Sequence, residues 1–341
     1  MITVSLCMIV KNEEAVLARC LDSLRGLMDE MIIVDTGSVD RTKEIAGRYT
    51  DRIYDYAWTD DFSQARNYAL SFASCDYIYC ADADEVMDEE NRLKFLQLKE
   101  TLLPEIEIVQ MLYSGQYDSN TVYNFNEEYR PKLFKRLRTF QFMDPVHETL
   151  RLDPVVYDSE IRIFHKPHGL HTDRDVRIFE QNYENSNTPV IPFRLMKMYA
   201  KELFISGSDA HFTGAIPVFT RVLEKDSCSK EEILYASCVL ARAYRLLGDT
   251  THFFQYAMKA ALSDSCSEIC MELGQFYETC GDLNEAHIWY YNAAYETAPI
   301  CNIHLGGDSA LYALARVMEQ AGFKEQAQYY CEQAQKWQPR E

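Results

Sequence analysis

The chain has 341 residues, a formal net charge of -19 and a pI near 4.9. So acidic a chain lacks the basic footprint of a general nucleic-acid binder and is repelled by anionic lipid. Hydrophobic residues make up 47% and aromatics 13%, which excludes wholesale disorder, and at roughly 100–200 residues per domain the length predicts two domains.

The opening run Met1-Ile2-Thr3-Val4-Ser5-Leu6-Cys7-Met8-Ile9-Val10 is apolar and carries no basic leader. It reads as a first strand rather than a secretion signal. Glu14–Leu27 has helical spacing through Val16, Leu17, Cys20, Leu21 and Leu24. Met31-Ile32-Ile33-Val34 has the length of a buried parallel strand. Asp40–Tyr49 and Phe62–Ala73 read as helices, and Asp76–Ala81 as a strand. Asn91–Leu102 is helical and Glu107–Tyr113 again a strand. Such alternation predicts parallel strands with crossover helices, whose ligands sit at the carboxyl ends of the strands. A further strand-like run, Glu160–Phe164, leads into His165-Lys166-Pro167-His168-Gly169-Leu170-His171.

Beyond about residue 195 the strand pattern stops. Helical segments recur with Gly207, Gly248, Gly281 and Gly322 at their turns, spaced by 41, 33 and 41 residues. A period near 34 with paired helices is the tetratricopeptide pattern, against the alternative of a plain helical bundle. Leu273-Gly274, Tyr277, Gly281, Ala286, Tyr290 and Ala293 fit it best. The boundary is placed at 190/191, giving domains 1–190 and 191–341. The eleven cysteines are odd in number and form no CxxC pair. Free thiols in a reducing cytoplasm are therefore expected, and Cys266 with Cys270 is not expected to bind zinc. No apolar run reaches the roughly 18 residues that a membrane span requires.

The sharpest chemical signal is Tyr77-Ile78-Tyr79-Cys80-Ala81-Asp82-Ala83-Asp84-Glu85. Two carboxylates at i and i+2 of an extended segment point the same way, and hard oxygen donors suit Mg²⁺ or Mn²⁺ bridged to phosphates. The second is Ile32-Ile33-Val34-Asp35-Thr36-Gly37-Ser38, where a strand-end carboxylate can accept hydrogen bonds from a base or ribose. The third is Asp60-Asp61-Phe62-Ser63-Gln64-Ala65-Arg66-Asn67, with Arg66 on the polar side of its helix. Trp58 reads as a sugar-stacking or a packing residue. The basic stretch Arg130, Lys132, Lys135, Arg136 and Arg138 reads either as a diphosphate grip or as the solvent face of a strand or hairpin. Neither a GxGxxG nor a GxxxxGK[ST] motif is present.

Residues 1–150 resemble the family 2 glycosyltransferases, through Ser5–Glu14, Val34–Asp40, Arg66-Asn67 and Asp82-Ala83-Asp84. Arg130–Arg136 and Val146-His147-Glu148 resemble the subgroup with tetratricopeptide repeats behind the catalytic domain, which includes peptide S-glycosyltransferases of the sublancin type. The resemblance implies an α/β GT-A domain, Rossmann-like and of the nucleotide-diphospho-sugar transferase kind, followed by an all-α tetratricopeptide-like domain. It also implies a metal-dependent inverting transfer from a UDP-sugar, glucose or N-acetylglucosamine, to a peptide or protein acceptor through oxygen or sulfur. Asp35 and Arg66 would hold the base or ribose, with Val10, Lys11, Asn12 and Glu13 bordering the nucleotide. Asp82 would contact ribose or metal, Asp84 would bind Mn²⁺ or Mg²⁺, and His165 would be a third metal contact. Glu148 would be the catalytic base, with His147 and Asp144 as rivals. The repeats would hold the acceptor, or mediate self-association. Two alternatives stand beside this reading: synthesis of a bacterial surface polysaccharide or glycolipid, and a non-catalytic repeat scaffold.

Overall fold

The structure is a computed structural model that describes residues 1–114, 127–150, 154–166, 174–183 and 190–338. The chain divides into two compact units, the first ending near residue 170 and the second running from there.

The strands of the first unit are β1 (Val4–Val10), β2 (Glu30–Asp35), β3 (Ile53–Asp55), β4 (Tyr77–Cys80), β5 (Glu85–Val86), β6 (Ile108–Ser114), β7 (Glu127–Lys135), β8 (Phe142–Met143), β9 (Thr149–Leu150) and β10 (Val156–His165). Its helices are α1 (Leu17–Ser23), α2 (Thr42–Ala46), α3 (Phe62–Leu70) and α4 (Glu89–Thr101). Eight strands form one sheet in the order β3-β2-β1-β4-β7-β6-β10-β5, and β8 pairs with β9 apart from it.

The predicted parallel pairing holds for β3-β2-β1-β4 and for β6 with β10. It fails at β7, which runs antiparallel between β4 and β6, and at β5, antiparallel to β10. β7 has a polar, partly exposed first half and a short buried Leu133-Phe134 segment, so of the two readings of the basic stretch it forms the strand, and its antiparallel direction makes the sheet mixed.

Every residue of β1 except Ile9 is buried, and its side chains alternate between two cores. Val4, Leu6, Met8 and Val10 pack with Leu17, Leu21, Tyr79, Phe95 and Ile163 on one face. Cys7 packs with Ile32, Val34, Ile78 and Phe134 on the other. The period of two that the pleat imposes thus closes both faces of the sheet. Helix α1 is shorter than its apolar spacing predicts, with residues 14–16 and 24–27 forming turns at its two ends.

The second unit is helical: α5 (Arg174–Tyr183), α6 (Phe193–Ser206), α7 (Asp209–Gly214), α8 (Ile216–Leu223), α9 (Lys230–Leu246), α10 (Thr250–Asp264), α11 (Ser267–Thr279), α12 (Leu283–Tyr291), α13 (Asp308–Gln320) and α14 (Lys324–Lys336). The pairs α9/α10, α11/α12 and α13/α14 are hairpins turning at Gly248, Gly281 and Gly322, at φ 72°, 80° and 88°. Only glycine adopts that left-handed backbone freely. Gly207 lies after α6 at φ -68° and makes no such turn. Within α11, a Cβ on Gly274 would lie 2.5 Å from the Tyr290 ring of α12, so glycine here permits the close approach of the hairpin. Helix α5 clusters with the second unit, so the contact boundary falls near 170 rather than at the expected 190. Its buried Phe179 stacks on Tyr199 of α6 at 4.7 Å.

All eleven cysteines are unpaired. Among the described residues no helix is long and apolar enough to cross a membrane.

Candidate active site

The carboxyl ends of β1 and β2 meet side by side, with Val10 opposite Asp35. Beyond them the two loops are stitched together. The Asn12 N–H donates to Ser38 Oγ at 2.9 Å, and Asn12 Oδ1 accepts from the Val39 N–H at 2.9 Å. The Glu13 N–H donates to Thr42 Oγ1 at 2.7 Å. Asn12 holds φ at 56°, a left-handed backbone that a non-glycine residue keeps only when its surroundings enforce it.

Asp35 is 2% exposed. Its Oδ1 accepts from the N–H groups of Gly37 at 3.0 Å and Ser38 at 2.9 Å, while Oδ2 is buried with no partner. An unsatisfied buried acceptor costs about 1–3 kcal/mol, so this oxygen is set up to receive a ligand's N–H or O–H. The strand–turn–helix joint explains Gly37 and Ser38; the orphaned oxygen explains Asp35.

Arg66 was expected on the polar side of α3, near the base or ribose of a nucleotide. Instead it lies between two acids from distant parts of the chain, donating through Nη2 to Asp82 Oδ1 at 2.9 Å and through Nε to Glu148 Oε1 at 2.8 Å. Burial opposes the charge on Arg66, but the two carboxylates overcome it and raise its pKa further. Burial alone would raise Asp82, yet Arg66 and Lys132 hold its carboxyl well below the usual range. The arginine thus keeps Asp82 ionised and fixes the spacing of the two acids.

The segment 142–148 is tied to α3 by the same helix face. Asn67 donates to the Phe142 carbonyl at 2.9 Å and accepts from the Phe142 N–H at 2.8 Å. The Phe62 N–H donates to the Pro145 carbonyl at 2.9 Å. Within this segment Asp144 and His147 hold φ at 76° and 51°. Thr149 Oγ1 donates to Asp144 Oδ2 at 3.1 Å. The turn that carries the three candidate bases is therefore strained and latched.

Asp84 Oδ2 and His165 Nε2 share a hydrogen bond at 3.0 Å, while Asp84 Oδ1 and His165 Nδ1 are buried without partners. Two adjacent donors around an octahedral ion bound at about 2.1 Å are themselves about 3.0 Å apart. The Asp84–His165 spacing, with a spare carboxylate oxygen beside it, fits a divalent cation. Asp82 turns to Arg66 instead, so Asp84 and His165 are the candidate metal donors that touch. His165 stands at the end of β10, opposite Glu85 of β5.

Sequence reasoning missed the layer beneath these groups. Glu85 is 2% exposed and ion-paired with Lys132, which is 6% exposed. Burial pushes the Glu85 carboxyl up to about 7, against the pull of Lys132 and with a further push from Asp82. Tyr113 packs alongside, with its ring centroid 5.4 Å from that of His165 and 5.2 Å from Lys132 Nζ. The only signal for Glu85 was its place directly after Asp82-Ala83-Asp84. The other bases of the stretch are engaged by neighbouring groups. Arg130 covers the Tyr113 ring at 3.9 Å, Arg136 donates to the Cys75 carbonyl at 2.6 Å, and Arg138 pairs with Glu107 at 2.8 Å. Lys135 donates to the Pro104 carbonyl. Trp58 packs edge-on against Phe62 and donates to Asp60 at 2.8 Å. His168 and His171 lie outside the described residues.

Residues 5–149 match the model of the family described as Glycosyl transferase family 2. Residues 5–149 thus carry a family 2 glycosyltransferase domain. The chain is 36% identical over 160 residues to a TPR repeat-containing protein of Synechococcus elongatus, covering 43% of this chain and 35% of that one. It is 25% identical over 261 residues to the SPbeta prophage-derived glycosyltransferase SunS of Bacillus subtilis, covering 74% and 56%. The chain thus spans about a third and about half of these two relatives' lengths. A glucosyl-3-phosphoglycerate synthase of Mycobacterium tuberculosis, in a crystal structure with Mn²⁺ and UDP-glucose, superposes loosely, with a TM-score of 0.41 at 14% identity over 60% of this chain and 80% of that one. The glycosyltransferase domain has the GT-A architecture expected from its motifs, followed by a helical region of repeat-like hairpins.

Proposed function

We propose that the protein is a metal-dependent inverting glycosyltransferase that moves a sugar, glucose or N-acetylglucosamine, from a UDP-linked donor to a peptide or protein acceptor. The observation that carries this reading is the corner where Asp84 and His165 stand at the spacing of adjacent ligands, each with a buried atom unsatisfied.

Asp84 and His165 would hold Mn²⁺ or Mg²⁺, which neutralises charge building on the departing diphosphate. Asp35 Oδ2, orphaned at the end of β2, would accept from the uracil, with Val10, Asn12 and Glu13 alongside. Asp82, held ionised by Arg66, would face the ribose. Glu148 would take the proton from the incoming nucleophile, with His147 and Asp144 next to it on the same turn. Its link through Arg66 to Asp82 fixes the base relative to the donor-binding acid. Attack from the face opposite the leaving diphosphate inverts the anomeric centre. The helical hairpins would hold the acceptor, because stacked helical pairs in general present extended surfaces suited to a peptide chain.

The test is incubation of the purified protein with a panel of nucleotide sugars and Mn²⁺, with release of nucleotide followed by mass spectrometry. Turnover of one UDP-sugar above the others is expected. No turnover of any donor, in protein that also fails to bind UDP with Mn²⁺ by calorimetry, would return the chain to the scaffold reading.

A further inference from the structure

We propose that the buried Glu85–Lys132 pair is a positioning device that holds the acidic segment in the pose where Asp84 meets His165. The proposal rests on the reading of that corner as a cation site and adds two residues to it.

The ladder between β6 and β7 pairs Val109 with Leu133 and Gln110 with Pro131, so Lys132 is passed over. This is a bulge, and Pro131 has no N–H to give the ladder at that point. A bulge re-aims the side chain of its extra residue. Here the ammonium of Lys132 reaches Glu85, which stands three strands away in the sheet order.

Glu85 needs such an anchor. It opens β5, a strand of two residues at the sheet edge whose partner there is the end of β10. That pairing sets His165 opposite Glu85 and lets the Lys166 N–H donate to the Asp84 carbonyl at 2.9 Å. A two-residue edge strand makes too few ladder bonds to fix its own position. The ion pair at its first residue ties it to the middle of the sheet, and Tyr113 packs against both Lys132 and His165.

Charge alone would argue against a lysine here. An ammonium beside carboxylates that bind a dication weakens that binding by repulsion. Positioning therefore predicts the opposite sign from electrostatics when Lys132 is removed.

The experiment compares the full chain with Lys132→Met and with the doubly neutral Glu85→Gln/Lys132→Met, which leaves no buried unpaired charge. Mn²⁺ binding is measured by calorimetry and by the Mn²⁺ electron paramagnetic resonance signal. Both variants are expected to bind Mn²⁺ roughly 10–100-fold more weakly, the usual loss when an outer partner of a metal site goes. Unchanged or tighter binding in the folded double variant overturns the proposal. A pair that merely stabilised the fold would lower the melting temperature and leave the affinity of the folded protein as it was. Hydrogen exchange on the metal-free protein gives an independent readout. Segments 82–88 and 162–166 are expected to lose protection in the double variant, and unchanged protection there also overturns the proposal. Absence of Mn²⁺ binding by the unaltered protein would strike the cation reading, while the exchange result would still decide the role of the pair.

Discussion

The two units treat their buried carboxylates in opposite ways. In the first, Asp35, Asp84, Glu85 and His165 each hold a buried atom without a partner, and Asn12, Asp144 and His147 keep left-handed backbones. In the second, Glu268 accepts from the N–H groups of Ile300, Cys301 and Asn302, and Glu272 is paired with Arg245. Its left-handed residues are glycines at hairpin turns. Among the described residues, the buried carboxylate oxygens without partners all belong to the first unit. A buried carboxylate oxygen left unmet beside an enforced backbone marks a corner prepared for a ligand, whereas fully engaged carboxylates mark a scaffold.

The largest way to break this contrast is Asp84→Ala. Loss of a metal-binding carboxylate is expected to reduce transfer at least about 1000-fold, since cation stabilisation of the leaving group is worth several kcal/mol. The melting temperature should change little, because losing the Asp84–His165 contact is offset by removing a buried oxygen that has no partner. A matched fall in both activity and melting temperature would mean that Asp84 is structural.

Glu268→Ala should do the reverse. It strips the acceptor from three backbone N–H groups and is expected to cost about 3 kcal/mol in chemical denaturation, with no direct effect on chemistry. Burial raises the Glu268 carboxyl above the ordinary range, against its backbone donors. A raised value in the fold means the folded chain keeps a proton that the unfolded chain has lost. The resulting stabilisation is present below the ordinary carboxylate range and fades as pH rises through the raised value. Glu268→Gln, which cannot titrate, should flatten that part of the stability–pH curve.

Gly274→Ala sharpens the scaffold side. Its new methyl meets the Tyr290 ring, and overpacking of this kind costs about 1–3 kcal/mol. Gly281→Ala has open space around it but sits at φ 80°, so it should cost roughly 1–2 kcal/mol through backbone strain alone. Thermal melts of both variants check the order.

Much of this was legible before any coordinates. β1, β2 and β4 announce themselves as apolar runs because both faces of the sheet are covered, and Asp35, Asp82, Asp84 and His165 follow from their strand ends. β3 and β5, at three and two residues, are too short to carry a period. The partners of Arg66 lie 16 and 82 residues away, and no local pattern reports a contact of that span. Lys132 looked like one more surface base, because its burial depends on a skipped rung between two strands that pair only in the folded sheet.

The pairing of Val10 with Asp35 has a consequence for engineering. Side chains along a strand alternate faces, so adding a single residue within β2 ahead of Asp35 would swing its carboxylate through the sheet to the wrong side. Adding two would return it to the correct side one rung further along. Parity, more than length, decides whether such an insertion leaves the nucleotide corner intact.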